Sequence, residues 1–291
     1  MKPRGGWSFV SPALIAIGVF FVLPVVAALA LSFTDFDIYG VADRHNVRFI
    51  GFDNYRRLVA TPLFWSALRN TAFFVIVGAP LSIAVSLGTA LLINARVVRA
   101  RGAFRTALFA PVVTTVVAVA VIWRYIFHDR YGFLNYVLGW FHIDAIDWLG
   151  DPHWSMPAMI VFAVWKNFGY NMIIFVAGLQ SIPGDQYEAA RIDGAGRVAQ
   201  FRFVTLPALA PTMLLVTILT MVGYFQLFAE PYVMTRGGPA QSTTSVLYFM
   251  FEEGFKWWNL GYASAVAFVL FAIMLGGTML QLAVARRWSR S

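Results

Sequence analysis

Two groups of residues carry the chemistry on offer in this sequence. The first is a polar island, Tyr187-Glu188-Ala189-Ala190-Arg191-Ile192-Asp193-Gly194-Ala195-Gly196, followed by Phe201-Arg202-Phe203-Val204-Thr205-Leu206-Pro207 and set between two long apolar runs. Pro183-Gly184 makes a turn. Asp185, three residues before Glu188, has capping-box spacing for a helix starting near Gln186. Ala189 and Ala190 favour helix and keep its surface thin, and Gly194 and Gly196 end it. Glu188 and Asp193 stand near the two ends with Arg191 between them, so the element offers charges to a partner surface. A short, thin helix of this kind suits a cleft on another protein; the plain alternative is an ordinary helix–turn–helix connection. The second group lies inside the apolar runs. Lys166, Asn167, Tyr170 and Asn171 occur together, with 167, 170 and 171 on one face at i, i+3, i+4 spacing. Thr220, Tyr224 and Gln226 flank Gly223 in a later run. Polar groups within membrane segments are candidates for a solute path. The alternative is that they bond helix to helix; Lys166 offers a cation to a phosphate or carboxylate, or snorkels.

Composition says what must position these groups. The chain has 291 residues, 59% apolar and 12% charged, against about 25% charge in soluble domains. Spanning a bilayer takes about 20 apolar residues as helix. Six runs qualify, at about 9–33, 67–94, 106–127, 156–179, 208–229 and 263–284. None alternates as a membrane β-barrel does, so the expectation is an all-α membrane protein with six transmembrane helices, a single membrane domain over 1–291 and a loop at 180–207. The net charge of +8 orients the chain. Segments 1–8, 95–105, 180–207 and 285–291 hold 12 of the 22 Lys and Arg in 54 residues; the opposite loops hold 7 in 94. This bias follows the positive-inside rule and puts both termini in the cytoplasm, with no nucleic-acid partner needed. Lys2 and Arg4 before the first run resemble a signal peptide, but the run is too long, and it reads as an uncleaved span.

Outside the spans, Ile50–Leu58 reads as a short amphipathic helix entered by a glycine turn, with Phe52 and Tyr55 at the headgroups. Trp140, Trp148 and Trp154 fit an aromatic belt, and His128, His142 and His153 lack metal-ligand spacing. Pro24, Pro80 and Pro111 are expected kinks. Gly78, Ala84, Gly88 and Gly276-Gly277 are small enough to let helices approach. There is no cysteine, hence no disulfide or thiol chemistry. No G-x-x-x-x-G-K-[ST] phosphate loop occurs. No Asp or Glu lies inside the six runs, Glu230 standing at the outer edge of the fifth. That disfavours a proton- or sodium-coupled carrier. No G-x-S-x-G motif occurs, which disfavours a membrane enzyme.

The polar island resembles the "EAA" loop of the membrane subunits of binding-protein-dependent ABC importers. Further patches resemble the carbohydrate-uptake branch, of the maltose and glycerol-3-phosphate permease type. They include Leu31-Ser32-Phe33-Thr34-Asp35, Gly51-Phe52-Asp53-Asn54-Tyr55, Trp165-Lys166-Asn167-Phe168-Gly169-Tyr170-Asn171, Gly178-Leu179-Gln180-Ser181-Ile182-Pro183, Thr235-Arg236-Gly237-Gly238-Pro239-Ala240 and Leu260-Gly261-Tyr262-Ala263-Ser264-Ala265. The resemblance implies the type I importer permease fold in a bacterial cytoplasmic (inner) membrane. Glu188, Ala189, Ala190, Arg191, Asp193, Gly194, Ala195, Leu206 and Pro207 would then couple to an ATPase. It implies a second homologous permease, two ATPase copies, an extracytoplasmic binding protein and a carbohydrate substrate. No cofactor is expected on this chain; ATP and Mg belong to the ATPase. The resemblance sets Asn167, Tyr170 and Tyr224 against the sugar, beside Lys166, Asn171, Thr220 and Gln226. An importer of amino acids or another small solute is the alternative.

Overall fold

Proline decides where the long helices deform. In the computed structural model, which describes residues 4–95 and 100–288, three of the five π-helical turns among the described residues stand just before a proline. These turns, Gly18–Val22, Phe74–Gly78 and Phe201–Thr205, each end two residues before a proline, at Pro24, Pro80 and Pro207. A proline ring crowds the carbonyl four residues back, and the widened turn makes room. The Leu23 N–H accordingly reaches back five residues to the Gly18 carbonyl, and Leu206 to Phe201. Pro24 and Pro80 thus widen their helices without ending them.

Four helices are long and apolar enough to cross a membrane: Phe9–Leu31, Pro62–Asn94, Pro152–Gln180 and Leu260–Arg286. The third and fifth runs, expected as single helices over 106–127 and 208–229, are broken pairs. Arg101–Val113 meets Val116–Ile126 at 98°, and Arg197–Ala208 meets Ala210–Phe225 at 68°. Counting each pair as one span gives six. Pro111 lies just before the first break, where Thr114 and Thr115 are extended and the Thr114 hydroxyl donates to the Pro111 carbonyl at 2.6 Å. Pro207 and Pro211 bracket the second. Among the described residues no strand forms beyond one isolated bridge, Thr34–Phe49. Of the basic residues that orient the chain, Lys2, Arg96, Arg99 and Arg290 lie outside the described residues.

The described residues form two compact units. One comprises the chain up to Trp65 with Val246–Ile273. Here Asn54, 6% exposed, donates to the carbonyls of Ser32 and Thr34 at 2.9 and 2.8 Å. The expected short helix forms over Asp53–Ala60 after Gly51 at φ +60°. Tyr55 is half-buried: its hydroxyl meets Ser32 Oγ at 2.7 Å and its ring packs on Phe33. A hydroxyl inside the fold needs a partner, and Ser32 supplies it. Arg57 lies over the Tyr262 ring at 4.4 Å, and Gly261 admits the Thr34 carbonyl, which would stand 2.3 Å from any Cβ there. Within this unit, none of the most apolar window of the Phe9–Leu31 helix is buried.

The other unit, Ser66–Ser245 with the residues from Met274 on, is built around Pro152–Gln180. Asp151 caps that helix by accepting the His153 N–H at 2.8 Å. That bond holds the Asp151 carboxyl below the usual carboxylate range. Met159, Phe162 and Phe175 are fully buried along the helix, and Ser86 Oγ crosses from the second span to the Phe168 carbonyl at 2.9 Å. Two glycines set the spacing. Gly169 faces the third-span backbone so closely that a Cβ would lie 2.3 Å from the Leu108 carbonyl oxygen; at Gly78 a Cβ would lie 2.6 Å from the Tyr224 ring. Gly88, Gly276 and Gly277 have no neighbour within 4 Å of a Cβ position, so the approach expected of them is not made among the described residues. Trp148 is half-buried. It packs on Phe127 and donates to Asn135 Oδ1 at 2.9 Å, whereas Trp140 is exposed.

Candidate functional site

The polar island folds as a helix, Gly184–Ile192, a sharp turn, and a second helix, Arg197–Gln200, that runs through the Phe201–Thr205 turn into Leu206–Ala208. The expected capping box does not form. Pro183, extended at ψ 136°, is the N-cap, and the helix begins at Gly184 without a side-chain cap. Asp185 therefore lies in the first turn, where its charge still complements the helix dipole. The C-terminal end matches the glycine expectation at Gly194, which sits at φ +80°. Its N–H donates to the Arg191 carbonyl at 3.0 Å, and the Ala195 N–H donates to Ala190 at 2.8 Å. This pair of bonds is the Schellman arrangement that glycine favours. Gly196 is different: at φ −68° it is simply the N-cap of the next helix, with no need for glycine's freedom.

Glu188, Ala189, Arg191, Asp193, Gly194 and Pro207 are exposed, and Ala190, Ala195 and Leu206 are half-buried. Arg191 approaches Glu188 at 3.8 Å one turn away, a pairing of little worth on an exposed helix. Sequence reading missed two things here. One is a tether: the Tyr187 hydroxyl meets the buried Thr205 Oγ1 at 2.9 Å, tying the helix to the turn before Pro207. The other is apolar exposure. Ile192, Val198 and Phe203 are 86%, 81% and 72% exposed. Apolar residues within a polar helical island were the readable signal, since such exposure marks a surface that meets something.

The second group divides by environment. Asn167 and Tyr170 are exposed on the fourth helix, although the Asn167 amide donates to its own helix at Ala163, 2.9 Å. Asn171 is turned away from them: it is 4% exposed and donates to Thr220 Oγ1 at 2.9 Å, a bond between the fourth and fifth spans. Tyr224, 4% exposed, stacks on Phe74 at 5.0 Å and fills the notch left by Gly78. Gln226 is exposed at the C-cap of the fifth helix. The Lys166 side chain reaches the broken third span, where its ammonium donates to the Val112 carbonyl at 3.1 Å. Val112 is in the last turn before the 98° break, so its carbonyl has no helical partner ahead of it, and a cation there suits the negative end of the helix. The break in the third span left this cap invisible in the sequence.

Comparison with known proteins fixes the class. Residues 84–290 match the family "Binding-protein-dependent transport system inner membrane component", and the chain belongs to that family. It is a multi-pass transport permease subunit rather than an enzyme. Similar curated proteins include the lactose transport system permease protein LacF of Rhizobium radiobacter, 36% identical over 97% of this chain and 94% of LacF. The sulfoquinovosyl glycerol transport system permease protein SmoG of Agrobacterium fabrum is 33% identical over 95% of this chain and 88% of SmoG. Among solved structures, a chain of a bacterial ABC transporter involved in the import of the acidic polysaccharide alginate superposes with TM-score 0.80. It covers 98% of this chain and 96% of its own length at 22% identity, a likeness of fold.

Proposed function

We propose that this chain forms half of the translocation path of an ATP-driven sugar importer of the bacterial cytoplasmic membrane. The observation that carries the reading is the element Gly184–Ala208. It is an exposed helix pair with a Schellman turn, bearing exposed apolar side chains at the end of the Pro152–Gln180 helix. A motion imposed on it passes into the fourth span behind it and the fifth ahead. The second homologous permease supplies the other wall of the path, two ATPase copies take the two coupling loops, and an extracytoplasmic binding protein delivers the saccharide. ATP and Mg belong to the ATPase, and no cofactor is assigned to this chain. Both termini lie in the cytoplasm, in keeping with the basic segments. Closure of the ATPases draws the loops together, and the helices rock between inward- and outward-facing arrangements. The relatives' sugar cargoes support a saccharide as solute, and Tyr170, a ring half exposed beside Asn167, is suited to meet it.

The experiment compares neighbours with opposite environments. In the assembled importer, Tyr170→Ala should lower sugar uptake about tenfold, the loss of one good solute contact, with basal ATPase activity and complex yield unchanged. Asn171→Ala should instead lower stability by about 1 kcal/mol, by removing the bond to Thr220. Equal losses of uptake and assembly in Tyr170→Ala would assign Tyr170 to helix packing and remove it from the path.

A further inference from the structure

A cavity lies at the opposite end of the fourth helix from the coupling loop. Its volume is about 440 Å³, within the range of roughly 300–1,000 Å³ typical of small-ligand sites. Arg69, Asn70 and Phe73 border it from one face of the second span, with His153 from the first turn of the fourth helix. Gln241 and Ser242 border it from the loop before Val246. His153 and Asn167 are fourteen residues apart on one helix, about 20 Å of rise, so this cavity is distinct from the polar face at 167–170.

The cavity is held in shape. Asn70, 8% exposed, donates to the carbonyls of Gln241 and Thr244 at 2.9 and 3.0 Å, and Ser242 Oγ meets Ser155 Oγ at 2.8 Å. The pinned loop keeps Ala240 and Gln241 at φ +46° and +63°, a left-handed conformation that non-glycine residues adopt at a cost and that recurs at ligand clamps. The charge is one-sided. No Asp or Glu lines the cavity, and Arg69 makes no ion pair with a carboxylate among the described residues. A guanidinium is a fork for a carboxylate. The Gln241 amide and Ser242 hydroxyl suit ring hydroxyls, and the half-exposed Phe73 ring suits the C–H face of a pyranose.

We propose that this cavity is an outer saccharide subsite that prefers acidic sugars, with a sugar carboxylate on Arg69 and the ring against Phe73. The proposal rests on the saccharide-importer reading above. The test measures binding of D-glucuronate, D-glucose and acetate to the full chain in lipid nanodiscs. D-Glucuronate should bind at least about tenfold more tightly than D-glucose or acetate, the worth of one charge-assisted pair added to ring contacts. Arg69→Gln should erase the preference over D-glucose, and Phe73→Ala should weaken both sugars. Absence of D-glucuronate binding, acetate binding as tightly as D-glucuronate, or an unchanged preference in Arg69→Gln would overturn the proposal. So would an Arg69→Gln effect confined to affinity for the binding protein, which would give the cavity to an acidic side chain of that partner. Sugar uptake by the assembled importer, measured alongside, separates the two readings: uptake without D-glucuronate binding overturns the subsite alone.

Discussion

Gly194→Pro is expected to abolish import while leaving the chain in the membrane. The residue sits at φ +80°, which proline, held near −65°, cannot adopt. Its N–H is also a donor in the turn, to Arg191 at 3.0 Å, and proline has none. The exposed turn lies outside the apolar spans, so insertion should proceed. What is lost is the angle between Gly184–Ile192 and the segment leading to Leu206-Pro207, and with it the transfer of ATPase motion. Gly194→Ala is the graded control: a left-handed alanine costs about 1–2 kcal/mol, so uptake should fall but persist. In reconstituted importers Gly194→Pro should reduce ATP-driven uptake by well over tenfold, with near wild-type amounts of chain in the membrane. Wild-type uptake would remove the turn from the coupling mechanism.

Gly169→Val is expected to have the largest effect on the fold. A Cβ at this position would lie 2.3 Å from the Leu108 carbonyl oxygen and 3.1 Å from the Phe109 Cα. Both are backbone atoms, which cannot swing aside. Accommodation requires the third and fourth spans to separate, which pulls the Val112 carbonyl away from Lys166. Overpacking of this kind costs about 3 kcal/mol, at the upper end of the usual range, and the lost cap adds to it. The yield of monodisperse, detergent-extracted chain should fall more than tenfold. Gly88→Val, at a glycine with no neighbour within 4 Å, should be nearly neutral in the isolated chain. Equal behaviour of the two variants would contradict the packing described for the fourth helix.

The contrast between these glycines shows what the sequence could convey. Apolar runs, a basic bias and one short polar island carry strong local signals, and they sufficed for helical class, for family and for the exposed helical element at 184–208. Gly194 was legible because a glycine after an alanine-rich helix has one common use, the left-handed turn. Gly169 was not, since closeness to Leu108 depends on how two distant segments pack. The same limit governs the polar residues. The i, i+3, i+4 spacing of Asn167, Tyr170 and Asn171 suggested one face, but in the structure Asn171 turns toward Thr220 while the other two stay exposed. Helical periodicity fixes spacing around an axis; neighbours decide which sector is covered. Lys166 needed more still, because its partner exists only where the third span breaks. Prolines hinted at the deformations without distinguishing a π-helical turn at Pro24 or Pro80 from the 98° bend after Pro111.

The central claim is that this chain transmits the work of partners and drives nothing alone. Reconstitution into liposomes with components omitted one at a time tests it most directly. ATP-driven sugar uptake should appear only when this chain, the second permease, the ATPase and the binding protein are all present. The chain alone should neither hydrolyse ATP nor accumulate solute. Accumulation of sugar by this chain alone, driven by a proton or sodium gradient, would contradict the account and make the protein a secondary carrier.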